Sequence, residues 1–220
     1  MSTKHIIFDL DGTLIDSAPS ILSCFARVLE RRGIHPKCEL THSLIGPPLV
    51  QTLEKISGVT DELVLTELAN DFKSDYDETG YKETVEYPGI TQMLGLLAAE
   101  NFRLYVVTNK RIGPTIKILN MFNWTPLFQG IYAPDSFSPP LSPKARMLTR
   151  VRELHEIGID VGLYVGDREE DLEASTLAGL RFLGVRWGYG NWVDGATDSA
   201  GLVSNSMEFC RLIKSKMSRV

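Results

Sequence analysis

Residues 90–122, ITQMLGLLAAENFRLYVVTNKRIGPTIKILNMF, decide the fold class of this chain. Pro88-Gly89 breaks the chain just before them, and Ile90–Asn101 reads as a helix. Arg103–Thr108 (RLYVVT) is rich in β-branched residues and reads as a strand. Ile112–Phe122 returns to a helix. The alternation continues downstream. Phe128–Tyr132 is a strand, Pro143–Ile157 a helix with Pro143 in its first turn, and Val161–Val165 a strand. Glu169–Ala178 is a helix, Arg181–Val185 a strand and Met207–Met217 a closing helix. Upstream, Lys4–Phe8 is an apolar run that stops at Asp9-Leu10-Asp11-Gly12, a buried strand followed by a loop. Strands alternating with helices imply a parallel sheet covered on both faces.

The segment between the first strand and Pro88 differs. Ser17–Arg32 reads as a helix, with Ser17 as cap, Pro19 in the first turn and Gly33 as stop. Pro47–Ser57 is helical up to Gly58. Thr60–Asp77 is helical too, with Thr60 as cap and Asp61 and Glu62 in its first turn. From Ser17 to Glu83 no strand pattern occurs. The expectation is an α/β core, residues 1–16 and 84–220, with a helical domain, residues 17–83, inserted after the first strand.

Composition bounds the partners. The chain has 220 residues, 43% hydrophobic and 23% charged, ordinary for a soluble globular protein. A net charge of −5 lacks the basic excess that phosphate-backbone binding needs, so no nucleic-acid partner is expected. Lys214, Lys216 and Arg219 form the dense basic cluster and read as a helix end. The first apolar run, Ile6-Ile7-Phe8, stops at Asp9, and no stretch approaches the ~18 apolar residues of a membrane span. A cytoplasmic protein with no membrane partner, monomer or homodimer, is expected. Cys24, Cys38 and Cys210 are widely spaced and form no CxxC pair, which fits reduced thiols. Asn123-Trp124-Thr125 matches a glycosylation sequon and, without a secretory signal, is read as incidental.

Ligands of open parallel sheets bind beyond the carboxyl ends of the strands. Those ends carry Asp9, Asp11 and Thr13; Thr108, Asn109 and Lys110; and Gly166, Asp167 and Asp171. Lys144 starts another helix. Four carboxylates in one crevice resist ionising together unless cations join them. An all-oxygen set suits Mg²⁺ better than Zn²⁺, and His5, His35, His42 and His155 show no ligand spacing. A carboxylate can attack phosphorus, and a second one two residues on, on the same side of an extended segment, can protonate the leaving oxygen. Gly12 permits a close backbone approach, and Thr13 leads the chain away.

Asp9-Leu10-Asp11-Gly12-Thr13-Leu14, Val107-Thr108-Asn109-Lys110, Lys144 and Gly166-Asp167-Arg168-Glu169-Glu170-Asp171 resemble, in order and spacing, the four motifs of the haloacid dehalogenase superfamily. Leu14-Ile15-Asp16-Ser17, Ile45-Gly46-Pro47-Pro48-Leu49 and Val185–Gly190 resemble its phosphoglycolate phosphatase-like members. The resemblance implies a doubly wound, Rossmann-like α/β core with a small helical cap inserted after the first strand. It implies a Mg²⁺-dependent phosphatase acting on a small phosphorylated metabolite through an aspartyl-phosphate. Asp9 would be the nucleophile and Asp11 the general acid and base. Thr108 would hydrogen-bond the phosphoryl group, and Lys144 would steady nucleophile and phosphate. Gly12, Thr13 and Asn109 would line the substrate, with Gly46 and Pro47 as the cap loop facing it. Mg²⁺ would sit on the Asp9 carboxylate, the Asp11 backbone carbonyl and Asp167, with Asp171 holding its outer shell or Lys144. The family usually follows its third-motif lysine with proline. Here Ala145 follows Lys144 and Pro143 precedes it, which leaves Lys110 as the alternative lysine.

Other functions share this framework. A pyrophosphatase, a 5′-nucleotidase or a sugar phosphomutase would use the same core. A phospho-acceptor signalling module combines Asp, Thr, Lys and Mg²⁺ on a similar sheet, with the phosphate on Asp167 rather than Asp9. The Gly188-Tyr189-Gly190 triplet lacks the third glycine of a dinucleotide fingerprint, and Trp187, Tyr189 and Trp192 are read as packing residues.

Overall fold

A computed structural model describes residues 5–159, 161–192 and 201–217. Its strands are β1 (His5–Phe8), β2 (Ile15–Asp16), β3 (Val85–Glu86), β4 (Arg103–Val107), β5 (Phe128–Tyr132), β6 (Gly162–Gly166), β7 (Arg181–Val185) and β8 (Leu202–Val203). The helices are α1 (Ala18–Arg31), α2 (Leu49–Ser57), α3 (Glu62–Glu78), α4 (Ile90–Ala99), α5 (Ile112–Met121), α6 (Lys144–Leu154), α7 (Glu169–Leu177) and α8 (Ser206–Met217). Lys4, expected to open the first strand, and Arg219 of the basic cluster lie outside the described residues. The chain divides into two compact units, one of residues 1–16 with 86–220, the other Ser17–Val85.

The first unit holds a six-stranded sheet in the order β5-β4-β1-β6-β7-β8, parallel throughout. β1 is therefore central, flanked by β4 and β6, and the strand order reverses there. This is the switch point at which a doubly wound sheet opens a crevice. Every residue of β1 and β6 is buried, as expected of strands covered on both faces. Ile7, Tyr105, Tyr164 and Phe182 pack on one face with Met147, Leu148 and Val151 of α6. On the other face Phe8 meets Phe209 of α8, ring centroids 6.0 Å apart.

The second unit is helical. Cys24, Phe25, Val28 and Leu29 of α1 share its core with Leu53 and Ile56 of α2 and Leu65, Leu68 and Phe72 of α3. Phe72 stacks on Phe25 and on Tyr76, centroids 4.6 and 5.7 Å apart. Arg27 and Arg31 of α1 converge on Asp75 of α3, with Arg31 Nη2 2.8 Å from Asp75 Oδ2.

Several details differ from the sequence reading. Ser17 is the N-cap of α1, but its side chain makes no capping hydrogen bond. Asp61, not Thr60, caps α3, accepting from the Leu63 and Val64 amides at 2.9 and 3.0 Å. Its carboxylate is the stronger acceptor for the first-turn amides. α6 ends at Leu154 rather than Ile157, because Glu156 turns the chain at a positive φ of 52°. β8 was not expected: two residues carry no periodic signal. The three cysteines are free thiols. Among the described residues no helix is long and apolar enough to cross a membrane.

Candidate active site

β1 carries the chain into the crevice, and its register against Val106 and Val165 sets where Asp9 emerges. The Asp9 amide donates to the Val165 carbonyl at 2.9 Å, so backbone pairing continues through Asp9 itself. The loop beyond closes tightly: the Thr13, Leu14 and Ile15 amides all point to the Leu10 carbonyl, at 3.2, 2.9 and 3.1 Å. Gly12 makes that turn at φ +83°, a conformation natural only to glycine.

Two lysines divide the two aspartates of this loop. Lys144 Nζ, at the first residue of α6, lies 3.0 Å from Asp9 Oδ1 and 2.7 Å from Asp171 Oδ1. Lys110 Nζ lies 2.9 Å from Asp11 Oδ1. Thr108, 1% exposed at the end of β4, accepts the Lys110 amide on Oγ1 at 3.2 Å. Lys144 thus reaches Asp9 although Ala145 follows it, and Lys110 pairs with Asp11.

β6 delivers the remaining carboxylates. Asp167 is fully buried and Asp171 2% exposed. Asp171 Oδ2 accepts the Asp167 and Arg168 amides, both at 3.2 Å, and so caps α7. Gly166 is obligatory here, since a Cβ would come within 2.6 Å of Asp171 Cγ.

Two groups of supporting residues escaped the sequence reading. Tyr164 donates its hydroxyl toward Asp171 Oδ1 at 3.3 Å from within the sheet. The loop after β7 cradles Asp167: the Tyr189 amide donates to Asp167 Oδ2 at 2.7 Å, and a Cβ at Gly188 would fall within 2.6 Å of that oxygen. Trp187 Nε1 donates to the Thr13 carbonyl at 2.9 Å. The glycines set aside as a failed dinucleotide fingerprint are there for close backbone approach. The available signal was their place just past a strand's carboxyl end.

Oxygens of Asp9, Asp167 and Asp171 lie within 4.8 Å of one another. The side chain of Asp11 stands apart from this cluster, on Lys110. Burial pushes Asp9 up to about 8, Lys144 opposes the shift, and Asp171, Asp167 and Asp11 add to it. Burial and then Asp171 push Asp167 up to about 6. Burial works against the Lys144 ammonium, but Asp171 and Asp9 outweigh it and hold its pKa above the usual value. One ammonium therefore does not balance three buried carboxylates. An oxygen-only cluster with uncompensated negative charge fits a hard divalent cation. Asp9 and Asp167 would hold it, while Asp171 is committed to Lys144 and to two amides.

Thr13 is 1% exposed and its hydroxyl lies 3.5 Å from Asp167 Oδ1. Asn109 is exposed beside Thr108. Gly46 and Pro47 are exposed in the helical unit, and the cluster just described does not include them.

Known proteins resemble this chain. The family model described as haloacid dehalogenase-like hydrolase matches residues 6–185. A phosphoglycolate phosphatase of Cereibacter sphaeroides is 34% identical over 190 residues, 84% of this chain and 85% of the relative. The tyrosine-protein kinase PtkA of Mycobacterium tuberculosis is 31% identical over 86% of this chain and 64% of its own length. A solved structure described as a predicted phosphatase from Clostridium acetobutylicum superposes with a TM-score of 0.84. It is 27% identical, over 97% of this chain and all of that one.

Proposed function

The chain belongs to the haloacid dehalogenase-like hydrolases and is a phosphatase, and on that premise we propose a Mg²⁺-dependent phosphomonoesterase of the cytoplasm, acting on a small phosphorylated metabolite of the phosphoglycolate type through a phosphoaspartate on Asp9. The observation that carries the reading is the pairing of Asp9 with Lys144 at 3.0 Å and of Asp11 with Lys110 at 2.9 Å. Two carboxylates of one loop are thereby held apart for two tasks.

In the first step an Asp9 carboxylate oxygen bonds to phosphorus while the ester oxygen leaves and takes a proton from Asp11. In the second, Asp11 takes a proton from water, and the water oxygen bonds to phosphorus. The bond between Asp9 and phosphorus breaks, inorganic phosphate leaves and Asp9 is a carboxylate again. Thr108 Oγ and the Lys144 ammonium hold the equatorial phosphoryl oxygens, where charge is spread in the transition state. Asp9 and Asp167 would hold a divalent cation, which would supply further positive charge at the site. The buried walls around Asp9 keep bulk water away from the phosphoryl group.

Phosphate release from a panel of small phosphate esters, with Mg²⁺ and with chelator, tests this reading alongside Asp9→Asn. Release by the wild type with Mg²⁺ only, and none by the variant, is the expected result. Equal release by both proteins would discard Asp9 as nucleophile. The relative named as a tyrosine-protein kinase favours a second reading, in which the phosphoaspartate passes to a hydroxyl other than water. Phosphoryl transfer to an added acceptor without net phosphate release would select it, and with a sugar bisphosphate primer would select a mutase.

A further inference from the structure

Tyr189 touches two places at once. Its amide donates to Asp167 Oδ2 at 2.7 Å, and its hydroxyl donates to Asp16 Oδ1 at 3.0 Å. Asp16 is the last residue before the chain leaves the α/β unit, and Tyr87 is the second after it returns. Both crossings are tied to the same short loop. The Tyr87 ring lies 6.5 Å from the Trp187 ring, the Tyr87 amide donates to the Leu14 carbonyl at 3.2 Å, and Trp187 Nε1 donates to the Thr13 carbonyl at 2.9 Å.

We infer that Tyr189 is a positioning residue that couples the Asp167 carboxylate to the two crossings between the α/β unit and the helical segment. The loop has little room to slip. A Cβ at Gly190 would come within 3.0 Å of the Asp167 carbonyl carbon, and one at Gly188 within 2.6 Å of Asp167 Oδ2. The Tyr189 ring between the two hydrogen bonds is 8% exposed, so it transmits a shift rather than absorbing it. A displacement of Asp16 by little more than 0.5 Å, roughly, takes the 3.0 Å bond past hydrogen-bonding range. Coupling of this kind is reciprocal. Whatever fixes Asp167 steadies Asp16, and whatever moves the crossing disturbs Asp167.

The inference rests on the reading that a divalent cation binds at Asp9 and Asp167. Amide hydrogen exchange with and without Mg²⁺ tests it, in the wild type, in Tyr189→Phe and in Asp16→Ala. Tyr189→Phe keeps ring and backbone and loses only the hydroxyl, while Asp16→Ala removes the acceptor from the other side. In the wild type Mg²⁺ slows exchange at residues 14–17 and 86–88 as well as at 166–168. In both variants the response at 166–168 remains and the response at the crossings disappears. The Mg²⁺ concentration that half-saturates the melting-temperature shift rises about fivefold, the size of one hydrogen bond. Metal-free circular dichroism and melting temperature establish that each variant is folded. A wild-type response reproduced in full by both variants overturns the inference alone. No response to Mg²⁺ in the wild type overturns the cation reading and the inference with it.

Discussion

Lys110 and Asp11 form an ion pair of 2.9 Å, Lys110 two residues beyond the buried Thr108 and Asp11 two beyond the buried Asp9. The pair orients a carboxylate that the proposed reaction needs first as an acid and then as a base. Lys110→Met is expected to lower turnover of alkyl phosphates by about 10- to 100-fold, the worth of a hydrogen bond to a charged group. Asp11→Asn should cost roughly 10²–10⁴. Both variants should still release about one equivalent of p-nitrophenol from p-nitrophenyl phosphate in a rapid burst, because that leaving group needs no proton. Equal loss of the burst and of alkyl-ester turnover would mean that Lys110 serves the nucleophile instead.

Proton linkage gives the acidic cluster a defined sign. Asp9 lies near about 8 and Asp167 near about 6 in the folded protein, against 3.8 ordinarily, chiefly because both are buried. The folded chain therefore keeps protons that the unfolded chain releases. Without metal, this contribution to stability is full below the ordinary carboxylate value and is lost as pH rises toward about 8. A divalent cation held there would bind the ionised form. The melting temperature in chelator should fall between about pH 5 and pH 8, and the gain on adding Mg²⁺ should grow over the same window. A Mg²⁺ shift of constant size across that window would refute the linkage.

The helical unit has the opposite sign. The Arg27 hydrogen bond, with further help from Arg31, holds the Asp75 carboxyl below its ordinary value. Its contribution is present above the ordinary carboxylate range and disappears as pH falls through the folded value. Asp75→Asn should destabilise this unit by about 2–3 kcal/mol. Amide exchange in α1 and α3 should speed up, with little change in β1, β4 and β6. Faster exchange in the sheet as well would mean that the two units unfold together.

Gly12→Ala should damage the site without touching a carboxylate. The substitution meets a φ of +83° and places Cβ within 2.6 Å of Asp167 Cγ. A loss of more than about 2 kcal/mol is expected, together with loss of the Mg²⁺-dependent melting shift. Retention of that shift would show that Asp167 can move aside cheaply.

Much of this molecule was legible in its residues, for physical reasons. RLYVVT is apolar and β-branched because it lies inside a sheet covered on both sides, and such strands declare themselves. Asp9, Thr108 and Asp167 were legible because each follows a readable strand directly. The partition of the aspartates was not. The resemblance put Lys144 at Asp9, but that Asp11 goes to Lys110 depends on side-chain reach across strands, which periodicity does not encode. Tyr164 was hidden for another reason. Its ring fills the core like any apolar residue, and only its hydroxyl faces Asp171. Gly188 and Gly190 were compared with a nucleotide motif and set aside because they do not complete it. Their meaning lies in the nearness of Asp167, 21 residues earlier than Gly188 in the chain.

The place of β1 in the sheet has a consequence for biosynthesis. Both neighbours of β1 come late in the sequence, β4 at Arg103–Val107 and β6 at Gly162–Gly166. A ribosome delivers this apolar strand before either edge has a partner, and completes the whole helical unit in the interval. Until Gly166 has emerged, β1 is an open template for the wrong strand. Chains stalled short of β6 are thus the species that cellular chaperones would have to shield, and limiting their lifetime is a condition for high yield in any expression host.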